Sequence, residues 1–597
     1  MIKFDNIKQY ILIQGDLSGI QSYILKFQQQ ATSGLAKILR ARSFYLSLIS
    51  KSVEDKICRE LNFTKDSIIM SAGSKFLLVG EYLDSQNDAL ESIQRELDDW
   101  LLKRYMGDIT FLLAWNEKPF TSEQIVNSFK EVNKHVREIL EKKKNNKLKS
   151  VLTASGKWNP TQFIFLNAYN DLVANGECAV QGFYPGEIYD SKENRYLNKV
   201  SFTELETGMK LPHNKFIHFE NNSNADTLSL PFNTIFSLNE NSNSNQGLSI
   251  ERFAPANLPK FTNWKESVQK YEQTYCNSCN EYGKEIQCEI LVGFKKDKNY
   301  QPKSFHCLAQ ESKTFSNEKQ EHKEWENSND NVLMKGEAFL GIFKADLDNA
   351  GIYFQESSSI EDYNKRSEKV NDFFGKELND LIQNESGYKS SIYTVFAGGD
   401  DLFLIGTYTK LLEFIQKLQE EFTKAFDGKL TFSAGFALSK PRTPIQLGAT
   451  KAEQGLKLSK DYGKEKENKD KKEKNAITIF GTTMSWEEYK EALDDIVKIL
   501  DFIEKGLPIS FLYRLLHFYK ENKRVANDPK AVIWKSHFAY SKARNIWQNK
   551  QLFADLNKEQ QRSKKQELDS FITTLLSENK IHYANVVLQL AIYQFRN

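Results

Sequence analysis

Two adjacent acidic residues lie in a tight turn between two short apolar segments. The turn is Gly398-Gly399-Asp400-Asp401, and the flanking segments Ser391–Phe396 and Leu402–Ile405 predict a β-hairpin. Neither glycine has a Cβ, so the backbone there can approach a ligand closely. A second acidic strand end, Asp346-Leu347-Asp348, begins 52 residues before Gly398. Carboxylates at the ends of neighbouring strands form an oxygen-lined site for Mg²⁺ or Mn²⁺, and paired metals of this kind catalyse nucleotidyl transfer.

Asp346, Asp400 and Asp401 are the predicted catalytic residues and the predicted ligands of two such metals. One metal would lower the pKa of an attacking ribose hydroxyl, and both would neutralise a triphosphate. The alternative is a solvated acidic hairpin, because Gly and Asp are common turn residues; the apolar strands on both sides and the matching Asp346 favour the metal site. Asp348 lies on the side of Asp346 only if the strand continues through it, and otherwise it caps the following helix.

The elements predicted around this turn follow the ferredoxin-like order, a small antiparallel sheet with helices on one face. They are a strand at 338–345, a helix around 365–382, the hairpin, a helix near 411–426, a strand at 430–437 and a helix at 444–460. The same order recurs near the N-terminus, where the strand Tyr10–Gly15 ends in Asp16 and a hairpin tip carries Ser74-Lys75 in place of the acid pair. The sequence therefore predicts a tandem duplication with one catalytic copy and one degenerate copy that completes a nucleotide pocket.

Composition sets the broad class of the protein. The 597 residues are 40% hydrophobic and carry a net charge of +2, from 81 basic and 79 acidic residues. This is enough apolar material for several cores, and it provides no bulk attraction for nucleic acid. No apolar run approaches the length of a membrane span, and the N-terminus lacks a signal-peptide core, which predicts a cytoplasmic protein that contacts no membrane.

The predicted fold class is α+β with several domains. The expected boundaries are the degenerate copy of the repeated unit at 1–150, an extension of uncertain fold at 151–254, a helical zinc-binding insertion at 255–330, the catalytic copy at 331–485 and a helical domain at 486–597. The segment Asn221–Asn245 is rich in Asn and Ser and is expected to be a loop. The tail from Trp486 has helical periodicity, which predicts a helical core first and a docking face second.

Four of the six cysteines fall within 32 residues. Cys276 and Cys279 form a C-x-x-C pair, which is half of a typical structural zinc site, and Cys307 with either Cys288 or His306 would complete it. The alternative is a set of unligated cysteines in a reducing compartment. Two charged segments are candidates for contact with nucleic acid. Lys464–Lys474 carries both signs and favours a solvated loop, whereas Glu141–Lys149 is more one-sided and could face RNA.

A resemblance to a known family rests on several motifs taken in chain order. Gly15-Asp16-Leu17-Ser18-Gly19-Ile20-Gln21, Arg42-Ser43-Phe44, the cysteine cluster, Asp346–Asn349 and Gly398–Asp401 together resemble the large subunit of type III CRISPR–Cas effector complexes, nearer the Csm than the Cmr branch. The resemblance covers most of the chain and is thin between about 150 and 255. The Gly-Gly-Asp-Asp tip alone is also compatible with diguanylate cyclases and other palm polymerases.

The resemblance implies two facing palm domains, of which the active one converts ATP into cyclic oligoadenylate. It implies partners as well: a guide CRISPR RNA and target RNA in an assembled complex, and other effector subunits including the small subunit. The implied nucleotide-binding residues are Gly398, Gly399, Leu347, Asp348, Gly351, Ser433 and Lys460 in the active copy, and Asp16, Ser18 and Gln21 in the degenerate one. Lys460 is equally explained by the preference of lysine for a helix C-terminus, and Asp16 by a helix N-cap.

Members of this family often begin with an HD phosphohydrolase domain that cuts single-stranded DNA. None of the eight histidines here is followed by Asp, and the first palm motif already begins at Gly15, so DNA cleavage is not expected. Two rival functions stay open: transfer of AMP from ATP to a different acceptor metabolite, and a catalytically silent scaffold. A diguanylate cyclase is less favoured, because those palms act as homodimers and this chain carries its own second palm.

Overall fold

The computed structural model describes twelve segments of the chain, which are 4–28, 34–154, 157–159, 166–191, 193–221, 228–239, 248–249, 257–260, 302–315, 334–441, 443–463 and 474–596. The cysteines Cys276, Cys279 and Cys288 and the charged residues 464–473 lie outside them. The predicted zinc site therefore stays a prediction. Cys307 is described: it is buried near the start of a short helix, and its N–H donates to Ser304 Oγ at 3.1 Å.

The first unit of the fold contains five strands and five helices. They are β1 Gln9–Ser18, α1 Ile20–Ile24, α2 Leu35–Glu60, β2 Ile68–Ala72, β3 Lys75–Glu81, α3 Gln86–Tyr105, β4 Thr110–Trp115, β5 Phe120–Thr121, α4 Ser122–Asn127 and α5 Phe129–Lys144. The sheet order is β2-β3-β1-β4, with β5 beside β1. This is the ferredoxin-like order that the sequence predicts.

Short elements connect the first unit to the second. They are α6 Lys149–Leu152, β6 Thr153–Ala154, β7 Lys157–Trp158, α7 Leu166–Asn175, β8 Ile188–Asp190, β9 Arg195–Leu197, α8 Lys199–Lys210, β10 Phe216–Asn221, β11 Leu228–Ser229, β12 Thr234–Asn239, β13 Leu248–Ser249, α9 Phe305–Gln310, β14 Thr314–Phe315 and β15 Met334–Lys335. The loop prediction for Asn221–Asn245 is wrong within residues 228–239. There β12 pairs with β10 and buries Ile235 and Phe236, because apolar residues inside the Asn- and Ser-rich segment supply a face for the core.

The second unit repeats the plan of the first. Its elements are β16 Leu340–Asp348, α10 Ala350–Gln355, α11 Ile360–Asp372, a π-helical turn at Phe373–Glu377, α12 Leu378–Gln383, α13 Ser386–Lys389, β17 Ile392–Gly398, β18 Asp401–Thr407, α14 Tyr408–Ala425, β19 Thr431–Ser439, α15 Ile445–Lys460, β20 Ala476–Ile479 and β21 Thr482–Ser485. The sheet order is β17-β18-β16-β19-β20-β21. Its first four strands match the order in the first unit, so the duplication is confirmed in topology.

One expectation about this unit is wrong: its helices lie on both faces of the sheet. Phe343 and Leu347 of β16 face the core formed with α11 and α14, whereas Ile342 belongs to the cluster that contains Ala449 and Ala452 of α15. The backbone of α15 reaches β19 closely because Gly435 has no side chain; a Cβ there would lie 2.0 Å from the Ala452 carbonyl oxygen. The helix expected around 365–382 also begins earlier than predicted, as α11 at Ile360, because the Ser359 side chain caps it by accepting from the N–H of Asp362.

The two units share continuous cores. The sheet face of the second unit packs against α2, where Tyr393 Oη donates to the Ala36 carbonyl at 3.0 Å. Helix α11 covers the edge strand β2 of the first sheet, with Asn364 Nδ2 donating to the Ile69 carbonyl at 2.7 Å. An edge strand covered in this way keeps its position relative to the neighbouring unit. The hairpin tips of the two sheets therefore occupy a fixed, facing arrangement.

The C-terminal segment is helical, as predicted. It contains α16 Trp486–Glu504, α17 Ile509–Arg524, a 3₁₀ turn at Pro529–Ile533, α18 Trp534–Lys542, a π-helical turn at Ala543–Trp547, α19 Lys558–Leu575 and α20 Ile581–Phe595. Tyr489, Ile496 and Ile503 of α16 are buried in the core that this segment shares with the second unit. Within the twelve described segments, every helix is too short or too polar to cross a bilayer.

Candidate active site between the two units

The three predicted catalytic acids lie at one edge of the second sheet. Asp346 on β16 is paired in register with Asp401 on β18, so the two side chains project from the same face of the antiparallel pair. Asp400 occupies the two-residue turn with Gly399, whose φ of +64° favours glycine, and the turn is tied down by the Leu347 N–H donating to the Asp400 carbonyl at 2.9 Å. We call Asp346, Asp400 and Asp401 the acid cluster.

The charges of the acid cluster repel one another. Burial and the neighbouring charges of Asp400 and Asp346 raise the pKa of Asp401 to about 7. Burial also raises the pKa of Asp346, although the ammonium of Lys460 opposes this shift. A partly buried group of carboxylates with raised pKa values is stabilised by a cation and is a common feature of catalytic sites.

Lys460, which the resemblance places among the nucleotide-binding residues, supports the end of β16. Its Nζ donates to the carbonyl oxygens of Asp346 at 2.9 Å and Leu347 at 2.8 Å, and it lies 2.5 Å from Asp346 Oδ2. The lysine is therefore bonded to the acidic strand end, which helix-dipole preference alone does not require. Its predicted contact with nucleotide phosphates is untested.

Asp348 is buried and its carboxylate is fully used within the protein. It accepts four hydrogen bonds, from Thr431 Oγ1, Ser433 Oγ, Lys460 Nζ and the Asn475 N–H, at 2.8 to 3.0 Å. The strand continues through Asp348, as one expectation required. The capping alternative is wrong, because Asn349 is the N-cap residue of α10 and no side chain caps that helix. The predicted nucleotide contacts of Asp348 and Ser433 stay predictions.

Two side chains of the first unit contact the acid pair directly. Lys75 Nζ lies 3.0 Å from Asp400 Oδ2, and Gln21 Nε2 donates to Asp401 Oδ1 at 2.7 Å. Burial lowers the pKa of Lys75, but the charges of Asp400 and Asp16 outweigh it, and the net shift is upward. The sequence indicated Lys75 only as a substitution at the position of the acid pair; its contact with Asp400 was not predicted.

Asp16 is paired in register with Lys75 within the first sheet, as Asp346 is with Asp401 in the second. It is buried and forms an ion pair with Lys144 at 2.9 Å. The capping alternative for Asp16 is wrong, because the residue lies inside β1 and Gly19 is the N-cap of α1. Ser18 ends the same strand opposite Thr110.

A cavity of about 310 Å³ separates the two units beside the acid cluster. Its apolar wall includes Met70, Leu140, Phe354 and Tyr363, and its edge includes Leu347, Gly351, Gly399 and Asp400. Three cations of the first unit also line it: Lys75, Arg137 and Lys144. The sequence did not indicate Arg137, whose guanidinium lies 3.5 Å from the Gly351 carbonyl, because nothing local distinguishes its charge from those of the lysines of α5.

A second cavity, of about 340 Å³, also borders Lys75 and Asp400. Asp16, Gln21, Ser22 and Ser74 of the first unit line it together with the acid pair. Asp400 thus borders two cavities, and both are lined by residues of the two units. Small-molecule sites commonly form at such interfaces between domains.

The basic segment Glu141–Lys149 is only partly available to an external ligand. Lys143 packs over the Trp115 ring at 3.7 Å and donates to the Leu113 carbonyl, and burial lowers its pKa to about 8. Lys144 is paired with Asp16. Lys142, Lys147 and Lys149 are exposed, so the predicted contact with RNA would rest on these three.

The donor set of the acid cluster suits a hard divalent cation, since every available ligand atom is oxygen. Burial and the charges of Asp400 and Asp346 raise the pKa of Asp401 to about 7, and a cation at this position would offset both effects. Among the described residues, no three His, Cys, Asp or Glu side chains stand close enough together to hold a metal as they are oriented. Each acid instead contacts a side-chain donor, Lys460, Lys75 or Gln21.

Each of the two units matches a domain model of a known protein family. Residues 9–158 match the family model for Csm1 subunit domain B, and residues 339–478 match that for the second palm domain of Cas10/Cmr2. The chain is 23% identical over 476 residues to the CRISPR system single-strand-specific deoxyribonuclease Cas10/Csm1 (subtype III-A) of Thermococcus onnurineus, covering 76% of this chain and 54% of that protein. Identity to the protein of the same name from Enterococcus italicus is 23% over 547 residues, covering 86% and 60%. The chain therefore spans little more than half the length of these relatives.

Solved structures share the fold along nearly the whole chain. The apo Csm1–Csm4 cassette superposes with a TM-score of 0.63 at 19% identity, and the cassette in complex with cA3 superposes with 0.63 at 17%. Each match covers 98% of this chain and 70% of that chain. Both domain matches stand in chain order and the fold is shared, so the two units are similar to domain B of Csm1 and to the second palm domain of Cas10/Cmr2.

Proposed function

We propose that this protein is a nucleotidyltransferase that joins ATP molecules through 3′–5′ phosphodiester bonds into cyclic oligoadenylate. The observation that carries the proposal is the acid cluster, with Asp346 opposite Asp401 in register and Asp400 at the adjacent turn, beside two cavities between the units. A scaffold has no physical reason to keep three mutually repelling acids at one sheet edge. The cost of that repulsion is consistent with a site that binds cations and phosphates.

The larger part of the proposed nucleotide contact comes from the first cavity. Phe354, Tyr363, Met70 and Leu140 offer an apolar surface on which a purine can lie, and about 310 Å³ is within the range of small-molecule sites. Lys75, Arg137 and Lys144 place positive charge where a triphosphate would meet the acid cluster. The first unit would therefore bind and orient ATP although it lacks an acid pair of its own.

Asp346, Asp400 and Asp401 would hold Mg²⁺ or Mn²⁺. Such ions supply neutralisation of the triphosphate charge and a lowered pKa for the attacking ribose hydroxyl. Lys460 keeps the acidic end of β16 in place, and the Leu347 N–H does the same for the turn. Positioning of this kind supplies most of the catalysis in phosphoryl transfer, because little covalent chemistry is required of the protein.

The solved relatives support the choice of nucleotide. Csm1–Csm4 cassettes have been solved with one ATP, with AMPPNP, with pppApA and with cA3 and cA4. From these complexes we propose that this chain binds ATP as its substrate, releases a cyclic product and assembles with a Csm4-like subunit. A guide CRISPR RNA and its target RNA would gate the reaction in the assembled complex.

The test incubates the assembled complex with labelled ATP, Mn²⁺ and target RNA, and identifies the products by mass spectrometry. Cyclic oligoadenylate supports the proposal, a single AMP adduct supports transfer to another acceptor, and no product supports a silent scaffold. Asp400→Ala/Asp401→Ala should abolish synthesis. Asp427→Asn, which changes an acid in the turn before β19, is the matched control and should leave synthesis unchanged. Undiminished synthesis in the double variant would refute the site assignment.

We also propose that this chain does not cut DNA, although the curated relatives are named as deoxyribonucleases. The proposal rests on the absence of any His-Asp dipeptide in the sequence. Labelled single-stranded DNA incubated with the complex and Mn²⁺ should stay intact while ATP is consumed. Cleavage that persists in Asp400→Ala/Asp401→Ala would overturn this expectation and place a nuclease site elsewhere in the chain.

A further inference from the structure

Gln21 joins the acid pair, Asp400 and Asp401, to a buried lysine of the second sheet. It lies in α1 of the first unit, 380 residues from Asp401, yet Gln21 Nε2 donates to Asp401 Oδ1 at 2.7 Å. At its other end, Gln21 Oε1 accepts from Lys344 Nζ, also at 2.7 Å. A single amide therefore connects two charged groups of the second unit.

Lys344 provides a fixed end for this connection. It is 3% exposed, lies on β16 two residues before Asp346, and forms an ion pair with Glu453 of α15 at 2.5 Å. A buried ammonium needs partners in a defined geometry, because an unpaired buried charge is strongly destabilising. The ion pair with Glu453 therefore fixes the position of the Lys344 ammonium between β16 and α15.

The chemistry of the three groups determines the orientation of the amide. An ammonium only donates hydrogen bonds and a carboxylate only accepts them, whereas a primary amide does both at opposite ends. With Oε1 bound to Lys344, the NH₂ group must point to Asp401. The reversed amide would place NH₂ against the ammonium and oxygen against the carboxylate, and both contacts would be repulsive.

From this geometry we propose that Gln21 is a positioning residue for Asp401, oriented by Lys344. The first unit would then fix one oxygen of a metal-binding carboxylate, in addition to lining the nucleotide pocket. The inference rests on the proposed function, since it assigns Asp401 to the divalent cation site. Hydrogen-bonding partners of metal ligands typically contribute tenfold or more to metal affinity.

The test measures Mn²⁺ binding to the full chain by electron paramagnetic resonance, without nucleotide or RNA. Gln21→Met keeps the length of the side chain and removes both hydrogen bonds; we expect about tenfold weaker Mn²⁺ binding. Gln28→Met is the matched control, because Gln28 also donates to a carboxylate of another segment, Glu177, but away from the acid cluster. The control should bind Mn²⁺ as the parent protein does.

A second variant tests the role of Lys344. Lys344→Met should weaken Mn²⁺ binding to a similar extent, and the double variant Gln21→Met/Lys344→Met should lose no more than either single change, because both break one chain of contacts. Full additivity would overturn the orienting role of Lys344. The thermal unfolding midpoint of each variant shows whether it has folded, and Gln21→Met alone suffices if Lys344→Met does not fold.

The failure of this inference is distinguishable from failure of the proposed function. If Asp401→Asn weakens Mn²⁺ binding and Gln21→Met leaves it unchanged, the positioning role is refuted and the metal site stands. If Asp400→Asn/Asp401→Asn leaves Mn²⁺ binding unchanged, the metal site itself is refuted, and the inference fails with it.

Discussion

Lys75 Nζ, at the hairpin tip of the first sheet, lies 3.0 Å from Oδ2 of Asp400, at the hairpin tip of the second. Within the first sheet the same lysine stands opposite Asp16, in the register position that Asp401 holds opposite Asp346. The hairpin of the first unit therefore has the basic residue Lys75 where the hairpin of the second has Asp401. This lysine contacts Asp400 of the second hairpin. The two units are electrostatically complementary at their tips.

This contact predicts opposite effects of Lys75→Met on metal and nucleotide. Removing an ammonium beside Asp400 should tighten Mn²⁺ binding without nucleotide by up to about fivefold, the range of a partly exposed pair, and the gain should shrink as salt increases. The KM for ATP should rise, because the triphosphate loses a cation. Lys8→Met, which breaks an exposed pair with Glu81 in the same sheet, should change neither quantity. Weaker Mn²⁺ binding in Lys75→Met would contradict the prediction.

Lys460→Met should destabilise the catalytic sheet edge. The change removes hydrogen bonds to two carbonyl oxygens and leaves the carboxylates of Asp346 and Asp348 without this partner. Breaking a buried pair costs about 3–5 kcal/mol, and the partial exposure of Lys460 reduces this to about 1–3 kcal/mol of unfolding free energy. Calorimetry should show a lower unfolding midpoint. In a separate activity assay, the synthesis of cyclic oligoadenylate should be at least about tenfold slower. Lys457→Met, exposed on the same helix, is the control, and an equal effect there would refute a specific role.

Gly435→Ala should separate α15 from β19. A Cβ at Gly435 would lie 2.0 Å from the Ala452 carbonyl and 2.4 Å from the Leu456 nitrogen, and backbone atoms cannot rotate away. Overpacking of this kind costs about 1–3 kcal/mol, and it would move Lys460 at the end of the helix. Gly375→Ala meets no atom within 4 Å in a helical turn and should be neutral or slightly stabilising. Limited proteolysis between α15 and β20 should be faster in the first variant only.

Asp98→Asn should stabilise the protein at pH 8 and have little effect near pH 4. Burial raises the pKa of Asp98 to about 6, although Ser150 and Gln94 donate to it. Because this value lies above the unfolded one, the folded state holds the proton more tightly, and that stabilisation is lost as pH rises from about 4 to 6.

The neutral amide avoids the cost of the buried charge, so the unfolding free energy at pH 8 should increase by about 1–3 kcal/mol. Thermal unfolding of the full chain at pH 4.5 and pH 8 measures the difference between variant and parent. Asp99→Asn, which alters the exposed neighbour paired with Lys103, should show no such pH dependence. A stability gain of the same size at both values of pH would show that the charge of Asp98 is not the cause.

The local parts of the site could be predicted from the sequence. The apolar segment that ends at Asp346 and the Gly-Gly-Asp-Asp turn identify two strands and a tight hairpin, and these place Asp346 beside Asp401. The repeat of strand, helix and hairpin predicted the duplicated topology for the same reason: side-chain period and turn chemistry act over a few neighbouring residues. Within the Asn- and Ser-rich segment, residues 228–239 contain β11 and β12 in place of the predicted loop, because the apolar residues of β12 outweigh the polar composition.

Only the tertiary structure decided which groups meet between the units. Lys75 is 325 residues from Asp400, and Gln21 is 380 residues from Asp401. No local period relates such distant residues, and their approach depends on how α2 and α11 pack against the opposite unit. The hydrogen bonds to the Asp348 carboxylate likewise depend on the tertiary structure, since their donors lie on β19, on α15 and at Asn475 just before β20. Short-range sterics specify elements, whereas pairing of distant charges is specified by the packing of the whole chain.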